Sequence, residues 1–185
     1  MNLGTRAMHA SPVADFGSFG KHQAPPVATT RYFEDIRLGD TWSSEPTPIS
    51  AEEIVDFGTR YDPQPMHTDP ERAARGPFGS LVASGWHVAA VSMRVFVQAG
   101  GYGKTPVVGL GIDELRWQQP VKAGDLLTFT REVVELRRSA SSPNHGIVRT
   151  KVTARNQRGE AVMSLLTAAR VAARPAAAEG EGGAA

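Results

Sequence analysis

The sequence predicts an α+β fold in which one antiparallel, five-stranded sheet wraps around a long central helix. Three observations lead to this prediction. A strand and two capped helical segments come first, between residues 41 and 75. A long apolar segment follows at 85–99, and four strand-like segments separated by turns fill 107–171. Because the apolar helix and the apolar face of the sheet both need cover, we expect them to pack on each other.

The chain has the length and composition of a single domain with two tails. It contains 185 residues, of which 41% are hydrophobic, which is enough for one sizeable core. We assign that domain to residues 31–171. The stretch 1–30 is rich in Gly, Ala, Pro, Ser and Thr, and 172–185 is rich in Ala, Gly and Glu. Neither shows periodicity, so both are predicted to be flexible tails.

Charge and residue usage exclude several classes of function. The 20 basic and 19 acidic residues are mixed along the chain, so nucleic-acid binding is not expected. The absence of cysteine excludes disulfides, thiolate catalysis and cysteine-based metal sites. No apolar run reaches the roughly 18 to 20 residues that span a bilayer, and no signal-peptide pattern opens the chain. We therefore expect a soluble cytoplasmic protein without a membrane partner.

The first elements are short and are marked by turn and cap residues. A strand is expected near 41–49. Ser50 and Glu53 have the spacing of a capping box, which starts a helix. A second short helix is expected at 69–75, with Asp69 or Thr68 as its cap and a proline in its first turn.

The segment 85–99 is predicted to be the long central helix. Ser84 is a suitable N-cap, and the pair Gly100-Gly101 is typical of a helix C-terminus. Apolar side chains occur on nearly every side, so we expect a helix that is buried on most faces.

Four strands are predicted after this helix. The last two are joined by a hairpin turn at 156–159. The predicted strands are Val107–Trp117, Leu126–Arg137, Gly146–Arg155 and Ala161–Val171.

The stretch 61–69 holds the strongest chemical signal in the chain. Asp62 and His67 are five residues apart, on a segment that contains Pro63 and Pro65. Each proline fixes its own φ and disfavours helical geometry in the preceding residue. We therefore predict a rigid, kinked loop, not a helix. A carboxylate and an imidazole held on such a loop are suited to positioning a water for acid–base chemistry.

The motif and the order of elements resemble the MaoC-like (R)-specific enoyl-CoA hydratase and acyl dehydratase family, which has the hotdog fold. The resemblance covers about residues 32–171. The family signature Asp-x-Asn-Pro-(Ile/Leu)-His corresponds to 62–67, and it is followed by Asp69 and by Gly85 before the helix. A second matching phrase runs from Gly111 through Asp125. The chain departs from the usual pattern at three positions: Tyr61 replaces Gly, Gln64 replaces Asn, and Met93 stands where some relatives carry Ser.

The resemblance implies a hydro-lyase that reversibly adds water to a 2-enoyl thioester to give an (R)-3-hydroxyacyl thioester. Asp62 and His67 would bind the same water, and the sequence leaves open which of them is the base. The amide of Gly85 would form the oxyanion hole at the helix N-terminus. The residues expected to support the motif are Gln64, Pro65 and Ser84.

The resemblance also implies the partners of the protein. The substrate would be carried as a CoA thioester, with no further cofactor and no metal. A homodimer or higher homo-oligomer is expected, with the acyl tunnel at the subunit interface. Three basic residues could meet the CoA phosphates: Arg94, Lys122 and Arg149.

Two other functions remain open from the sequence. A hotdog acyl-CoA thioesterase usually carries its carboxylate on or near the central helix, whereas 86–99 contains no Asp or Glu. A non-catalytic acyl-binding subunit is the second alternative, and the departures at Gln64 and Met93 keep it open. Asp69 is interpreted as a helix cap, and His87 as a packing or hydrogen-bonding residue.

Overall fold

The computed structural model describes residues 30–105, 107–140 and 142–175. Most of both predicted tails lies outside these residues. After a 3₁₀ turn at Phe33–Asp35, the described chain forms four α-helices, none of which is long and apolar enough to pass through a bilayer. The helices are α1 (Ala51–Tyr61), α2 (Pro65–Thr68), α3 (Pro70–Ala74) and α4 (Gly85–Gln98). The strands are β1 (Thr41–Ser43), β2 (Thr47–Pro48), β3 (Val107–Trp117), β4 (Leu126–Arg138), β5 (His145–Arg155) and β6 (Ala161–Ala172).

The strands form an antiparallel sheet in the order β1-β4-β5-β6-β3. The predicted five-stranded sheet is therefore present, and the two-residue β2 adds a sixth strand that pairs with β4. The prediction of a single strand at 41–49 is wrong in detail. It is divided into β1 and β2 around Pro46, which has no amide hydrogen to continue a strand ladder.

The sheet also extends beyond its predicted end at residue 171. Strand β6 includes Ala172, and the Ala173 amide donates to the carbonyl of Asn144. The Arg174 guanidinium lies 2.6 Å from the carboxylate of Asp35. Residues 172–174 therefore belong to the folded unit and not to a tail.

Helix α4 packs against one face of this sheet and forms the main core with it. Burial alternates along β4, where Leu127 and Phe129 are fully buried. They share one apolar cluster with Val88 and Val91 of α4. Burying each side chain of this size contributes about 1.5–3 kcal/mol, so the core fixes the position of α4 on the sheet.

The other side of α4 is open, so the prediction of a helix buried on most faces is wrong for the single chain. Trp86, Met93 and Val97 are 55%, 48% and 58% exposed. Strand β3 ends the sheet, and its residues Leu110 and Ile112 are 53% and 51% exposed. We call these five side chains the β3–α4 face. Exposed apolar surfaces of this kind mark interaction sites.

The proline-containing stretch after α1 is a loop only in its first part. Pro65 starts the single turn of α2, because proline is tolerated at the first position of a helix, where no amide hydrogen is needed. The expectation that no helix would form here is thus wrong for Pro65–Thr68. The turn packs tightly on α1: a Cβ added to Gly58 would lie 2.6 Å from the carbonyl oxygen of His67. Glycine at 58 therefore permits the close approach of His67 to α1.

We predict that Gly58→Ala destabilises the protein, although alanine in a helix interior is normally favoured over glycine by about 1 kcal/mol. The added methyl group would push against the backbone of His67, which cannot move independently of α2. The free energy of unfolding, measured in urea, is expected to fall. Thr59→Ala, at an exposed position of the same helix, is the control and is expected to leave stability equal or slightly higher. A Gly58→Ala protein as stable as the wild type would contradict this packing.

Candidate active site

Asp62 and His67 face a cavity of about 580 Å³ between the end of α1, the turn of α2 and the N-terminus of α4. Asp62 is the C-cap of α1, and His67 lies in α2. The segment that follows β3 closes another side. The cavity walls relevant to the chemistry are Asp62, His67, Ser84, Gly85, Trp86 and Trp117.

The ring of His67 is fixed by a backbone carbonyl. The residue is 5% exposed, and its Nδ1 lies 2.7 Å from the carbonyl oxygen of Val82. The Val82 amide in turn donates to the carbonyl of Met66 at 3.1 Å. A carbonyl can only accept, so Nδ1 carries the hydrogen and the neutral ring presents an unprotonated Nε2. This Nε2 lies 3.4 Å from Oδ2 of Asp62.

Two side chains hold the Asp62 carboxylate in place. Nε2 of Gln64 donates to Oδ1 at 2.8 Å, and the Ser84 hydroxyl donates to Oδ2 at 2.7 Å. These bonds, the Gln64 bond most strongly, lower the pKa of Asp62 below its ordinary value, and burial opposes them only in part. The carboxylate is therefore ionised at neutral pH.

The Asp62–His67 pair is suited to binding a molecule that carries two polar hydrogens. When the ring is neutral, its Nε2 and the ionised carboxylate are both acceptors, so they cannot bond to each other directly. A water molecule near both atoms could donate one hydrogen to each of them. The same two groups can accept or return a proton during a reaction.

The N-terminus of α4 lies beside this pair. Ser84 is its N-cap: the hydroxyl that donates to Asp62 also accepts from the Trp86 amide at 3.3 Å. No described residue accepts a hydrogen bond from the Gly85 amide, as expected for the first residue of a helix. Unpaired amides and the helix dipole favour negative charge at this position.

Trp117, at the end of β3, covers Gly85. A Cβ added to Gly85 would overlap atoms of the Trp117 indole, so only glycine allows this contact. Trp117 also packs edge-on against Trp86, with ring centroids 5.4 Å apart. Trp117 was not predicted as a site residue, and neither was the backbone carbonyl of Val82. An apolar strand end and an ordinary valine carry no chemical signal that could have identified them.

The structure brings the six residues predicted for the site into one region. Asp62, His67, Gln64, Ser84 and Gly85 line the cavity, and Pro65 begins the turn that carries His67. Their catalytic roles remain predictions.

Other residues considered from the sequence lie outside this cavity. Asp69 caps α3 by accepting from the Arg72 amide at 3.0 Å. His87 stacks on the Phe57 ring with centroids 4.9 Å apart, and burial lowers its pKa. Met93 is half exposed on the β3–α4 face.

The basic residues considered for the CoA phosphates do not line the cavity either. Arg94 lies 2.8 Å from Glu53, and Arg149 lies 2.8 Å from Asp113. No ion pair within the described chain involves Lys122. The described residues also contain no group of three or more His, Cys, Asp or Glu side chains placed to hold a metal ion.

Comparison with known proteins supports this description. The family model of the MaoC like domain matches residues 37–156. A MaoC-like dehydratase structure from Rhodospirillum rubrum is 37% identical, with a TM-score of 0.71; the match covers 78% of this chain and 99% of that one. The 3-hydroxybutyryl-CoA dehydratase of Methylorubrum extorquens is 31% identical over 113 residues, covering 60% of this chain and 69% of that protein.

A double-hotdog protein of Mycobacterium tuberculosis has the same fold, with a TM-score of 0.65 and 20% identity. The match covers 82% of this chain and 47% of that protein. The sequence motif, the helix on its antiparallel sheet and these matches agree with one another. The chain therefore belongs to the MaoC-like hydratase and dehydratase family, and its domain has the hotdog fold.

Proposed function

We propose that the protein reversibly adds water to a 2-enoyl-CoA thioester to give an (R)-3-hydroxyacyl-CoA. The observation that carries the proposal is the convergence of two proton acceptors, Asp62 Oδ2 and His67 Nε2, 3.4 Å apart beside the N-terminus of α4. A hydration needs a site that activates water and a site that stabilises an anion, and this cavity offers both.

The proposed reaction uses only groups of this chain and the substrate. A water that donates to both Asp62 and His67 loses a proton to one of them while its oxygen forms a bond to Cβ. The electrons of the C=C bond move toward the thioester oxygen, where the Gly85 amide donates to the developing charge. The protonated member of the pair then delivers its proton to Cα. The enzyme returns to its starting state, and no cofactor beyond the CoA carrier is required.

The comparisons support the chemical class of this substrate. The relative in Methylorubrum extorquens is named for the dehydration of a 3-hydroxybutyryl-CoA, which is the reverse of an enoyl-CoA hydration. The cavity volume of about 580 Å³ lies within the roughly 300–1,000 Å³ usual for small-molecule sites.

We also propose that two copies of the chain associate through the β3–α4 face. Within the described part of the chain, strand β3 has a partner along one edge only, β6, so its other edge can pair with a second copy. The apolar side chains beside that edge would be buried by the second copy, as in the interfaces of stable homodimers.

The first prediction of the proposed function is that the wild-type protein hydrates crotonyl-CoA. Asp62→Asn and His67→Gln should each lower the activity about 10²- to 10⁴-fold, the usual contribution of acid–base catalysis. The measurement is the loss of enoyl absorbance, with the product configuration determined by chiral chromatography. Asp56→Asn makes the same acid-to-amide change at an exposed ion pair with Arg60 and is expected to leave the rate unchanged.

The same assay distinguishes the alternatives. Release of free CoA thiol without formation of a hydroxyacyl product would identify a thioesterase. If the protein turns over no enoyl-CoA substrate, short or long, this result would contradict the proposed reaction and favour an acyl-binding subunit.

The second prediction concerns the pKa of Asp62. Gln64→Met removes the strongest of the bonds that lower this pKa, so the pKa of Asp62 should rise toward its ordinary value. A carboxyl group whose pKa is lower in the folded state than in the unfolded state stabilises the fold at pH values above its unfolded-state pKa. This contribution is lost as the pH falls through the folded-state pKa. The mutant should therefore be less stable at neutral pH, and the difference should begin to shrink below about pH 4 and vanish below the folded-state pKa of the wild type.

Carbon NMR titration of the Asp62 carboxyl measures the pKa change directly. Gln119→Met alters another amide in the same cavity, one that makes no hydrogen bond to Asp62, and should leave the titration unchanged. An Asp62 pKa that is equal in wild type and Gln64→Met would show that Gln64 does not hold the carboxylate in solution.

The third prediction tests the homodimer. Leu110→Lys places a charge in the β3–α4 face and should convert the protein to a folded monomer in light scattering at micromolar concentration. Val134→Lys, at a position on β4 that is 38% exposed, is the matched control and should remain dimeric. If Leu110→Lys is as dimeric as the wild type, this face is not the interface.

A further inference from the structure

We propose that a second cavity, near the C-terminal end of α4, binds a fatty carboxylate whose head group pairs with Arg131 and whose unbranched chain lies on apolar walls. The cavity has a volume of about 500 Å³ and lies between α4, β3 and β6. None of its lining residues also lines the Asp62 cavity. Phe96, on its wall, is about 16 Å along the helix from Gly85 at 1.5 Å per residue. The site does not depend on the proposed reaction.

The first observation is a buried cation without an acidic partner. Arg131 is 7% exposed, and its guanidinium lies 4.2 Å from the centre of the Phe96 ring. Its Nε is buried without a hydrogen-bond partner, and the described residues offer its guanidinium no ion pair. Buried charges in proteins are normally paired, and a cation–π contact offsets only part of the cost of removing a charge from water.

The one acidic residue among the described walls of the two cavities is already engaged. Asp40 lines a smaller adjoining cavity together with Arg131. Its Oδ2 accepts from Arg31 at 3.2 Å and from the Arg37 amide at 3.0 Å. Burial lowers the pKa of Arg131, but a guanidinium remains charged at neutral pH. The positive charge therefore still needs an anion.

Two residues that line these cavities also carry a buried hydroxyl group without a hydrogen-bond partner among the described residues. Thr105 lines the larger cavity and Thr150 the smaller one, and both hydroxyl oxygens are buried without a hydrogen-bond partner in the described chain. Three of the five unpartnered buried polar atoms of the described residues thus belong to residues that line the two cavities that share Arg131. Water can satisfy a hydroxyl, but it cannot neutralise a guanidinium.

The remaining walls determine the rest of the ligand. They are mostly apolar or glycine, and no described lining residue is acidic; the apolar side chains include Met93, Val97, Val107 and Ile112. An alkyl chain fits such walls. A single guanidinium matches the charge and the two oxygens of one carboxylate, whereas a phosphate dianion would keep an unpaired charge. In the proposed homodimer, the second copy would close the open side of this cavity.

The test compares ligands that differ only in the head group. Isothermal titration of the full-length protein is performed with octanoate and with 1-octanol. Octanoate is expected to bind saturably and about 10-fold or more tightly than 1-octanol, in line with a charge-assisted hydrogen bond. Arg131→Met should weaken octanoate binding by a similar factor and leave 1-octanol binding unchanged.

The control is Arg149→Met, which removes an exposed arginine paired with Asp113 and should not change octanoate binding. Nitrogen NMR of the wild-type protein provides a readout that needs no variant: octanoate, but not 1-octanol, should shift the Arg131 Nε–H resonance. Absence of saturable octanoate binding, equal affinity in Arg131→Met, or an unshifted Arg131 resonance would each overturn the proposal. The first of these results is expected if a carboxylate of the protein itself already holds Arg131.

Discussion

The hydrogen bond between Nδ1 of His67 and the carbonyl of Val82 is the interaction on which the site depends. It joins the turn of α2 to the segment that leads into α4, and the Val82 amide completes the connection by donating to Met66. Because a carbonyl accepts only, this bond determines which ring nitrogen is free. It therefore turns Nε2 of a buried histidine into an acceptor directed at Asp62.

The same segment places the anion-stabilising group next to the proton acceptors. Two residues after Val82, the hydroxyl of Ser84 donates to Asp62 and caps α4. One serine thus fixes both the carboxylate and the start of the helix whose first amide is unpaired. The close packing of Gly58 on His67 and of Trp117 on Gly85 holds these parts together. The site is rigid because each of its groups is also part of a local fold contact.

Much of this arrangement follows from local sequence, and some of it does not. The caps of α1 and α3 and the end of α4 could be predicted because cap residues and glycine pairs act over a few residues. The turn at Pro65 was missed because proline disfavours a helix interior but permits a first turn. The exposed side of α4 was missed because composition cannot distinguish a buried apolar face from an exposed one.

The candidate site shows the same division. Asp62 and His67 were visible as a pair within one short motif. Gln64 departs from the family pattern by one methylene, and only the folded geometry shows that its amide reaches Asp62 at 2.8 Å. The Val82 carbonyl and the indole of Trp117 enter the site through contacts between distant segments. No local pattern encodes such contacts.

The tautomer of His67 is the most direct test of this account. Nitrogen-15 NMR of the labelled ring, at a pH where His67 is neutral, distinguishes the two nitrogens. We predict a protonated Nδ1 and an unprotonated Nε2, with the Nδ1 hydrogen protected from exchange. A neutral ring protonated at Nε2 would contradict it, since Asp62 would then bond directly to His67 and the two acceptors would not share a water.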